Sequence, residues 1–446
     1  MPDKVIFFTV ISLMTIGVIF SYSLTPYLMV RYGSGELSFI LKQFLFSVIS
    51  IFLIWTISRL DPAKWLHIIG MTLFIGASVL MVSMNFLPSS IVPEIGGASR
   101  WITVFSFSLA PVEFFKIGFI YFISWSMSRR IEYRTDNHYK VITELITFIP
   151  YLVIFLISIF FIAILQKDLG QSVILGGTLL LTLYLAGGSL RLITTILGGF
   201  LLVFLVFILT FSHRTERISS WWLLAKTWIP DWFANIFGIA RIGSEPYQIS
   251  QALGSIYNGG FWGVDLGNGV FKYGFLAEAH TDFVLEGIAE ELGLFSIIII
   301  FGLFATLFQR ILKVANRSEN RSHLLFNVGI AVIIGLALLI NTYGSTGLIP
   351  MKGIPVPFIS YGGSSMLALA IGIGMVLMTS KYANRQDDKV VKPEIDPQEF
   401  MGHNAQHHRP TQNNQREKQH PQYNIDQQRE YHHSRPHHQN RDRREF

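Results

Sequence analysis

A cluster of ionisable residues stands at the entrance of a long apolar segment. Its members are Glu278, His280, Asp282, Glu286, Glu290 and Glu291. Ionisable side chains at such a position are functional by default, with a buried structural ion pair as the main alternative. Asp282 follows Thr281, which suits a helix N-cap whose carboxylate accepts an amide hydrogen bond and has a lowered pKa. Alternatively, low dielectric and the neighbouring Glu286 raise its pKa, so that it can take a proton from a substrate hydroxyl. The residues leave both interpretations open.

Other segments between apolar stretches carry further candidates for binding or catalysis. They are Arg100, Trp101, Glu113, Lys116, Asp168, Lys352, Ser360 and Ser364. Glu113 and Lys116 are three residues apart on a helix that begins at Pro111, so their side chains share a face and can pair. Such a pair serves either as a structural link between helices or directly in catalysis. We expect these residues to line one cavity that opens outward.

The composition places these residues in a membrane. The chain has 446 residues, of which 51% are hydrophobic and 14% charged, and its mean hydropathy is +0.44. Because a span needs about 20 apolar residues and lipid forces its backbone into a helix, we predict an all-α integral membrane protein. Ten spans are predicted, at about 5–24, 38–58, 66–87, 111–128, 145–165, 171–187, 190–212, 283–310, 324–343 and 366–380. The absence of cysteine excludes disulfides and thiol catalysis.

The lysines and arginines of the short loops indicate the orientation, because short cytoplasmic loops are positively charged. They fall on one side when both termini are cytoplasmic. One long outer loop then covers about 213–282, between the seventh and eighth spans, and its tryptophans predict helices at the headgroup level. These are Trp221, Trp222, Trp228, Trp232 and Trp262. Residues 1–385 form the membrane domain, and the His-, Gln-, Asn- and Arg-rich residues 386–446 are expected to be a disordered cytoplasmic tail.

Two long motifs resemble one known family. They are AHTDF at 279–283, leading to EELG at 290–293, and PFISYGGSS at 357–365. In these motifs the chain resembles the SEDS family of shape, elongation, division and sporulation proteins, typified by RodA, FtsW and SpoVE. The likeness runs over residues 5–382. Glu286 departs from the pattern, since the family usually has a small apolar residue there.

The resemblance implies a ten-helix peptidoglycan glycosyltransferase that polymerises lipid II at the outer face of the cytoplasmic membrane. Asp282 matches the proposed catalytic aspartate, which would take the proton of the acceptor's GlcNAc 4-hydroxyl while polyprenyl diphosphate leaves the donor. Arg100, Lys116 and Lys352, with a divalent cation such as Mg or Mn, are candidates to stabilise the leaving charge. The substrate-binding candidates are Arg100, Trp101, Glu113, Lys116, Asp168, His280, Lys352, Ser360 and Ser364.

The resemblance also implies partners and a location. The expected partners are lipid II, a class B penicillin-binding protein that docks on the eighth and ninth spans, other divisome proteins and membrane lipid, but no nucleic acid. Lys352 followed by Gly353 is more similar to the division members than to the elongation members of the family, which indicates the division site of the inner membrane. A lipid II flippase, a noncatalytic divisome scaffold and a role in elongation stay open as alternatives.

Overall fold

The computed structural model describes residues 2–25, 37–94, 98–104, 107–131, 141–210, 221, 247–276 and 278–383. All of them belong to the first of two units of the chain, Met1–Val390. The predicted tail at 386–446 lies outside the described residues, as do Trp222, Trp228 and Trp232 of the long loop. The predicted domain boundary at 385 therefore stays a prediction.

The described residues are mostly helical. The helices are α1 (Lys4–Ser23), α2 (Leu37–Arg59), α3 (Pro62–Ser83), α4 (Pro111–Arg130), α5 (Val141–Ile159, prolonged by a π turn at Phe160–Leu165), α6 (Leu169–Leu185), α7 (Leu190–Thr210), α8 (Tyr247–Gly259), α9 (Val284–Asn316), α10 (Arg321–Ser345) and α11 (Gly363–Ala383). Each of the ten predicted spans coincides with one of these helices, and α8 is an additional short helix. The all-α membrane class is thus confirmed.

Seven helices within the described ranges are long and apolar enough to cross a membrane: α1, α2, α3, α5 with its π turn, α9, α10 and α11. Two further apolar helices, α6 and α7 over Leu190–Leu202, are shorter. α4 carries Glu113 and Lys116 at its start and two arginines at its end. The count of ten spans and the side of the membrane on which the termini lie stay predictions.

The charged helix α4 lies inside the bundle. It packs against α3, α6, α10 and α11, and nearly all of its first four turns are buried. Its neighbours shield it from lipid, so its polar groups can be paired within protein, as buried charges require. This position explains why hydropathy alone does not single it out as a span.

A two-stranded hairpin precedes α4. Strand β1 (Ile102–Val104) pairs antiparallel with β2 (Phe107–Leu109), with Ile102 opposite Leu109. The hairpin was not predicted. It connects the segment that carries Arg100 to the start of α4, and the Ser364 hydroxyl at the start of α11 fastens it by donating to the Ser108 carbonyl at 3.1 Å.

Helix α9 is interrupted at Gly293, whose φ of 74° and ψ of 178° are not helical. The backbone following α8 fills the gap: the amides of Leu294 and Phe295 donate to the carbonyls of Gly260 and Phe261. Only glycine fits here, because a Cβ on Gly293 would lie 2.2 Å from the Phe261 carbonyl oxygen and because φ is positive. The interruption therefore leaves these backbone groups satisfied, as the membrane interior demands.

Two buried carboxylates of α9 hold the segment after α8 in place. Glu291 pairs with Lys272 at 2.7 Å, and both side chains are almost fully buried. The Ser23 hydroxyl donates to Glu291 at 2.6 Å. Glu290 accepts hydrogen bonds from the Asn258 side chain at 3.0 Å and the Val270 amide at 2.7 Å. These two acidic residues of the cluster therefore serve the fold.

The two ends of the described chain meet at one end of the bundle. The Asp3 amide donates to the Ser380 hydroxyl at 3.1 Å. At the same end, Arg321 donates to the carbonyls of Ile131 and Ala186. The residues predicted to do chemistry lie towards the opposite end, on the connections and on the first two turns of α4 and α11.

Candidate functional site

Asp282 lies in a turn before α9 and not at its N-cap. The amides of Thr281 and Asp282 donate to the Glu278 carbonyl at 3.1 Å, and the helix starts at Val284 after Phe283, with no side-chain capping bond. The N-cap prediction is therefore wrong. The carboxylate is not used as a helix cap, which leaves it available to other partners. We call residues 278–283 the Asp282 turn.

Three consecutive carbonyls of the Asp282 turn, at positions 280–282, are held by other parts of the chain. The Tyr361 amide donates to the first at 2.9 Å, the Ser360 hydroxyl to the second at 2.5 Å, and the Asn341 side chain to the third at 2.7 Å. The PFISYGGSS motif thus binds the AHTDF motif directly. The two motifs that carried the family resemblance form one structural unit.

Gly353 packs against the carboxylate of Asp282. A Cβ built on Gly353 would lie 2.6 Å from Asp282 Oδ2 and 3.6 Å from Oδ1. Only a residue without a side chain allows the backbone to approach this closely. The segment at 351–356 therefore covers one side of the carboxylate.

Burial raises the pKa of Asp282 to about 6. Besides burial, the main cause, Glu278 and Asp168 contribute to this increase, and Arg100 opposes it. The neighbouring carboxylates that raise it are thus Glu278 and Asp168, whereas the sequence indicated Glu286. Glu286 is buried on α9, and its Oε2 has no hydrogen-bond partner in the described part of the chain.

Arg100 and Asp168 come from two different connections. Arg100 Nε lies 3.5 Å from Asp168 Oδ2, and Arg100 Nη2 donates to the Lys167 carbonyl at 3.0 Å. The Arg100 side chain is 32% exposed, so it can still meet an anionic ligand. Arg100, Asp168 and Asp282 thus lie near one another although they come from three different connections.

His280 is buried in an aromatic group. Its ring centroid lies 5.6 Å from that of Tyr361 and 6.2 Å from that of Phe39. Burial lowers the pKa of His280, although Glu278, whose carboxylate is 4.0 Å away, raises it. The imidazole is therefore neutral at neutral pH and packs the Asp282 turn against α2.

Glu113 and Lys116 form the predicted pair, and Gln171 of α6 completes it. Lys116 Nζ lies 2.9 Å from Glu113 and donates to Gln171 Oε1 at 2.6 Å, while Gln171 Nε2 donates to Glu113 at 2.9 Å. All three side chains are buried. They line a small pocket bounded also by α10, α11 and residues 354–357. The triad thus presents polar groups to a small pocket beside residues 354–357.

The remaining predicted binding residues are Ser360, Ser364, Trp101 and Lys352. Ser364 accepts from the Ala110 amide at 3.0 Å and Ser360 accepts from the Val356 amide at 2.8 Å, so both hydroxyls link chain segments. Trp101 and Lys352 are half-buried near Arg100 and Gly353 in the sequence. Their contact with substrate stays a prediction.

The residues around Asp282 do not form a complete metal site. No group of three or more His, Asp or Glu side chains able to hold a metal ion occurs in the described part of the chain. Mg²⁺ is usually bound by one or two carboxylates together with substrate phosphates and water. The predicted divalent cation therefore stays a prediction.

Sequence reasoning missed Asn341, Gln171 and Gly353 as site residues. Asn341 is a lone amide in an apolar span and Gln171 begins one, which are the signals that could have drawn attention to them. Gly353 was noted only for its likeness to the division members, because a glycine in a loop does not by itself indicate a site.

These features define a polytopic helical membrane protein with a charged site at one end of its bundle. A family model for FtsW, RodA and SpoVE, described as "Cell cycle protein", matches residues 3–385. The chain belongs to this family.

Several known proteins are similar to this chain. A "Probable peptidoglycan glycosyltransferase FtsW" of Helicobacter pylori is 42% identical over 385 residues, covering 85% of this chain and 98% of that protein. One of the same description from Trichlorobacter lovleyi is 30% identical, covering 85% and 93%.

Solved structures share the fold. A chain from "Structural coordination of polymerization and crosslinking by a peptidoglycan synthase complex" has a TM-score of 0.64 at 20% identity, covering 86% of this chain and 98% of that one. The rod shape determining protein RodA of Thermus thermophilus has a TM-score of 0.53 at 20% identity, covering 85% and 97%.

Proposed function

We propose that this protein polymerises lipid II into glycan strands at the outer face of the bacterial cytoplasmic membrane during cell division. Its family and its FtsW relatives, which are named as peptidoglycan glycosyltransferases, support this function. The observation that carries the mechanism is the Asp282 carboxylate, held in a fixed turn with a pKa raised to about 6 by burial. Such a group is ionised at neutral pH and still basic enough to act as a general base.

In the proposed reaction Asp282 accepts the proton of the acceptor's GlcNAc 4-hydroxyl. The oxygen of that hydroxyl attacks the anomeric carbon of the donor, the bond from this carbon to the diphosphate oxygen breaks, and polyprenyl diphosphate leaves with inversion. Arg100 is suited to the leaving group's charge, because it is partly exposed and acts electrostatically on Asp282. Lys116 and Lys352 are further cations for the diphosphate.

The proposed partner is a class B penicillin-binding protein, whose transpeptidase would crosslink the new strands. The similar chain from a synthase complex that combines polymerisation with crosslinking supports such a pairing. The docking site proposed for it is the outer surface of α9 and α10, the eighth and ninth predicted spans. Other divisome proteins would bring the pair to the division site.

The proposal is tested with the full chain purified together with its transpeptidase partner and labelled lipid II. Asp282→Asn keeps the shape of the side chain but removes the base, so we expect no glycan polymer. Asp265→Asn is the matched control, because Asp265 is exposed on the segment after α8 and should leave polymerisation unchanged. Polymer formed by Asp282→Asn at the wild-type rate would refute the assignment of the base.

The same preparation separates the alternatives. Movement of lipid II across vesicle membranes with no polymer from the wild type would favour a flippase, and neither activity would favour a scaffold. Depletion in cells separates the two family roles. Depletion of a division enzyme should give filamentous cells that fail to divide, and depletion of an elongation enzyme should give rounded cells.

A further inference from the structure

The side chain of Asn341 joins the two chain segments that meet at Asp282. Asn341 lies on α10 and is 2% exposed. Its Nδ2 donates to the Asp282 carbonyl at 2.7 Å and to the Ile354 carbonyl at 2.9 Å. One amide nitrogen therefore holds the Asp282 turn and the 351–356 segment together.

This link acts next to the carboxylate itself. Gly353, which contacts Asp282 Oδ2, directly precedes Ile354, whose carbonyl Asn341 binds. Any shift of Ile354 away from α10 would lift Gly353 from the carboxylate. The distance between the backbone of the 351–356 segment and the carboxylate thus depends on the Asn341 amide.

The oxygen of the Asn341 amide does not share this linking role. Asn341 Oδ1 is buried with no hydrogen-bond partner in the described part of the chain. A buried polar atom without a partner costs free energy, on the order of 1–3 kcal/mol. The contribution of Asn341 at this position therefore comes from its two donated hydrogen bonds.

We propose that Asn341 is a positioning residue for the reaction. By binding both carbonyls it keeps Gly353 packed on the Asp282 carboxylate, which fixes the direction of the carboxylate and excludes water from one of its sides. This inference rests on the proposed function, in which Asp282 is the general base.

Removal of the amide has a predicted effect on pH dependence. Without Asn341 the 351–356 segment loosens and water reaches Asp282, so the pKa of this carboxyl falls from about 6 towards its ordinary value, because burial is the main cause of the shift. The charged groups that face the carboxyl remain. They are Glu278 from its own turn, Asp168 from the start of α6 and Arg100 from the segment before β1. The acid limb of the activity profile should therefore move to lower pH.

The test compares Asn341→Ala with Asn327→Ala in the full chain bound to its transpeptidase partner. Asn327 lies on the same helix and is fully buried. Its Oδ1 accepts from the Thr379 hydroxyl at 3.1 Å, and it is about 20 Å further along the helix axis. The readouts are kcat and KM for labelled lipid II, the pH profile of kcat/KM and the thermal unfolding midpoint.

Asn341→Ala should lower kcat by about 10- to 100-fold, change KM by less than about twofold and move the acid limb to lower pH. Asn327→Ala should lose similar stability but keep the wild-type kcat and acid limb. An unchanged acid limb in Asn341→Ala, or a loss of kcat equal to that of Asn327→Ala, would overturn the positioning role. If Asn341→Ala does not fold, Asn341→Ser, which keeps one donor, is judged by the same two readouts.

The outcome also distinguishes this inference from the proposed function. If Asp282→Asn still makes polymer, the base assignment fails whatever Asn341 does. If Asp282→Asn is inactive and Asn341→Ala behaves like Asn327→Ala, only the positioning role fails.

Discussion

Replacing Gly353 by alanine tests how closely the backbone must approach Asp282. The new Cβ would lie 2.6 Å from Asp282 Oδ2, and since ordinary contacts begin at 3.4 Å, the oxygen must retreat by about 0.8 Å. The carboxylate can do so by turning away from its rotamer, at a cost of about 1 kcal/mol for a rotation of about 30°. The protein should therefore stay folded, with only a small loss of stability.

The effect on catalysis should be much larger than the effect on stability. A displacement of about 1 Å in a reacting group can lower the rate about 100-fold. We therefore expect Gly353→Ala to lower kcat by about 10- to 100-fold. The assay is polymerisation of labelled lipid II, with the thermal midpoint measured on the same preparation. Gly76→Ala on α3 is the matched control, because a Cβ there meets nothing within 4 Å.

Wild-type kcat in Gly353→Ala would refute the reasoning, since it would mean that the carboxylate works equally well after it has moved. A large fall in the thermal midpoint together with lost activity would instead mean that the 351–356 segment has unfolded. Only lost activity in a stable protein supports the geometric argument.

Three further predictions concern stability. Asp282→Asn should raise the free energy of unfolding by about 3 kcal/mol at about pH 7, because a pKa raised from 3.8 to about 6 makes the buried anion unfavourable. Thermal unfolding should show no gain below about pH 3, where the carboxyl is neutral in both states. Lys272→Met should lower the free energy of unfolding by about 3–5 kcal/mol, because it leaves Glu291 buried without its cation. Adding Glu291→Leu should restore most of the lost stability, and a Lys272→Met variant as stable as the wild type would contradict the ion pair's role. Gly293→Ala should destabilise the protein by more than about 2 kcal/mol, because the positive φ of Gly293 and the 2.2 Å contact both oppose a side chain. Gly302→Ala, in open space on the same helix, should leave the stability unchanged. Chemical or thermal denaturation of both variants measures the difference.

The apolar segments were predictable because lipid leaves the backbone few choices. Each predicted span is a helix, and the pairing of Glu113 with Lys116 follows from helical spacing alone. The hairpin Ile102–Val104 and Phe107–Leu109 was missed because three-residue strands leave almost no alternation in the sequence.

The details of the Asp282 turn were not predictable, because distant residues decide them. Local sequence left an N-cap at Asp282 open as one of two interpretations, whereas Ser360 and Asn341 hold the turn in another shape. Similarly, one helical turn of sequence pointed to Glu286 as the charge that acts on Asp282, whereas the fold brings Asp168 there from another connection.

The interruption at Gly293 divides α9 into two helical parts. The part from Val284 to Leu292 is about 13 Å long and is fastened to α1 and to the segment after α8 through Glu290 and Glu291. The longer part beyond Gly293 has an exposed apolar face that includes Phe295, Ile298 and Ile299. If the helix beyond Phe295 tilts as membrane thickness varies or a partner binds, the bonds of Glu290 and Glu291 hold the shorter part, so the position of the Asp282 turn does not change.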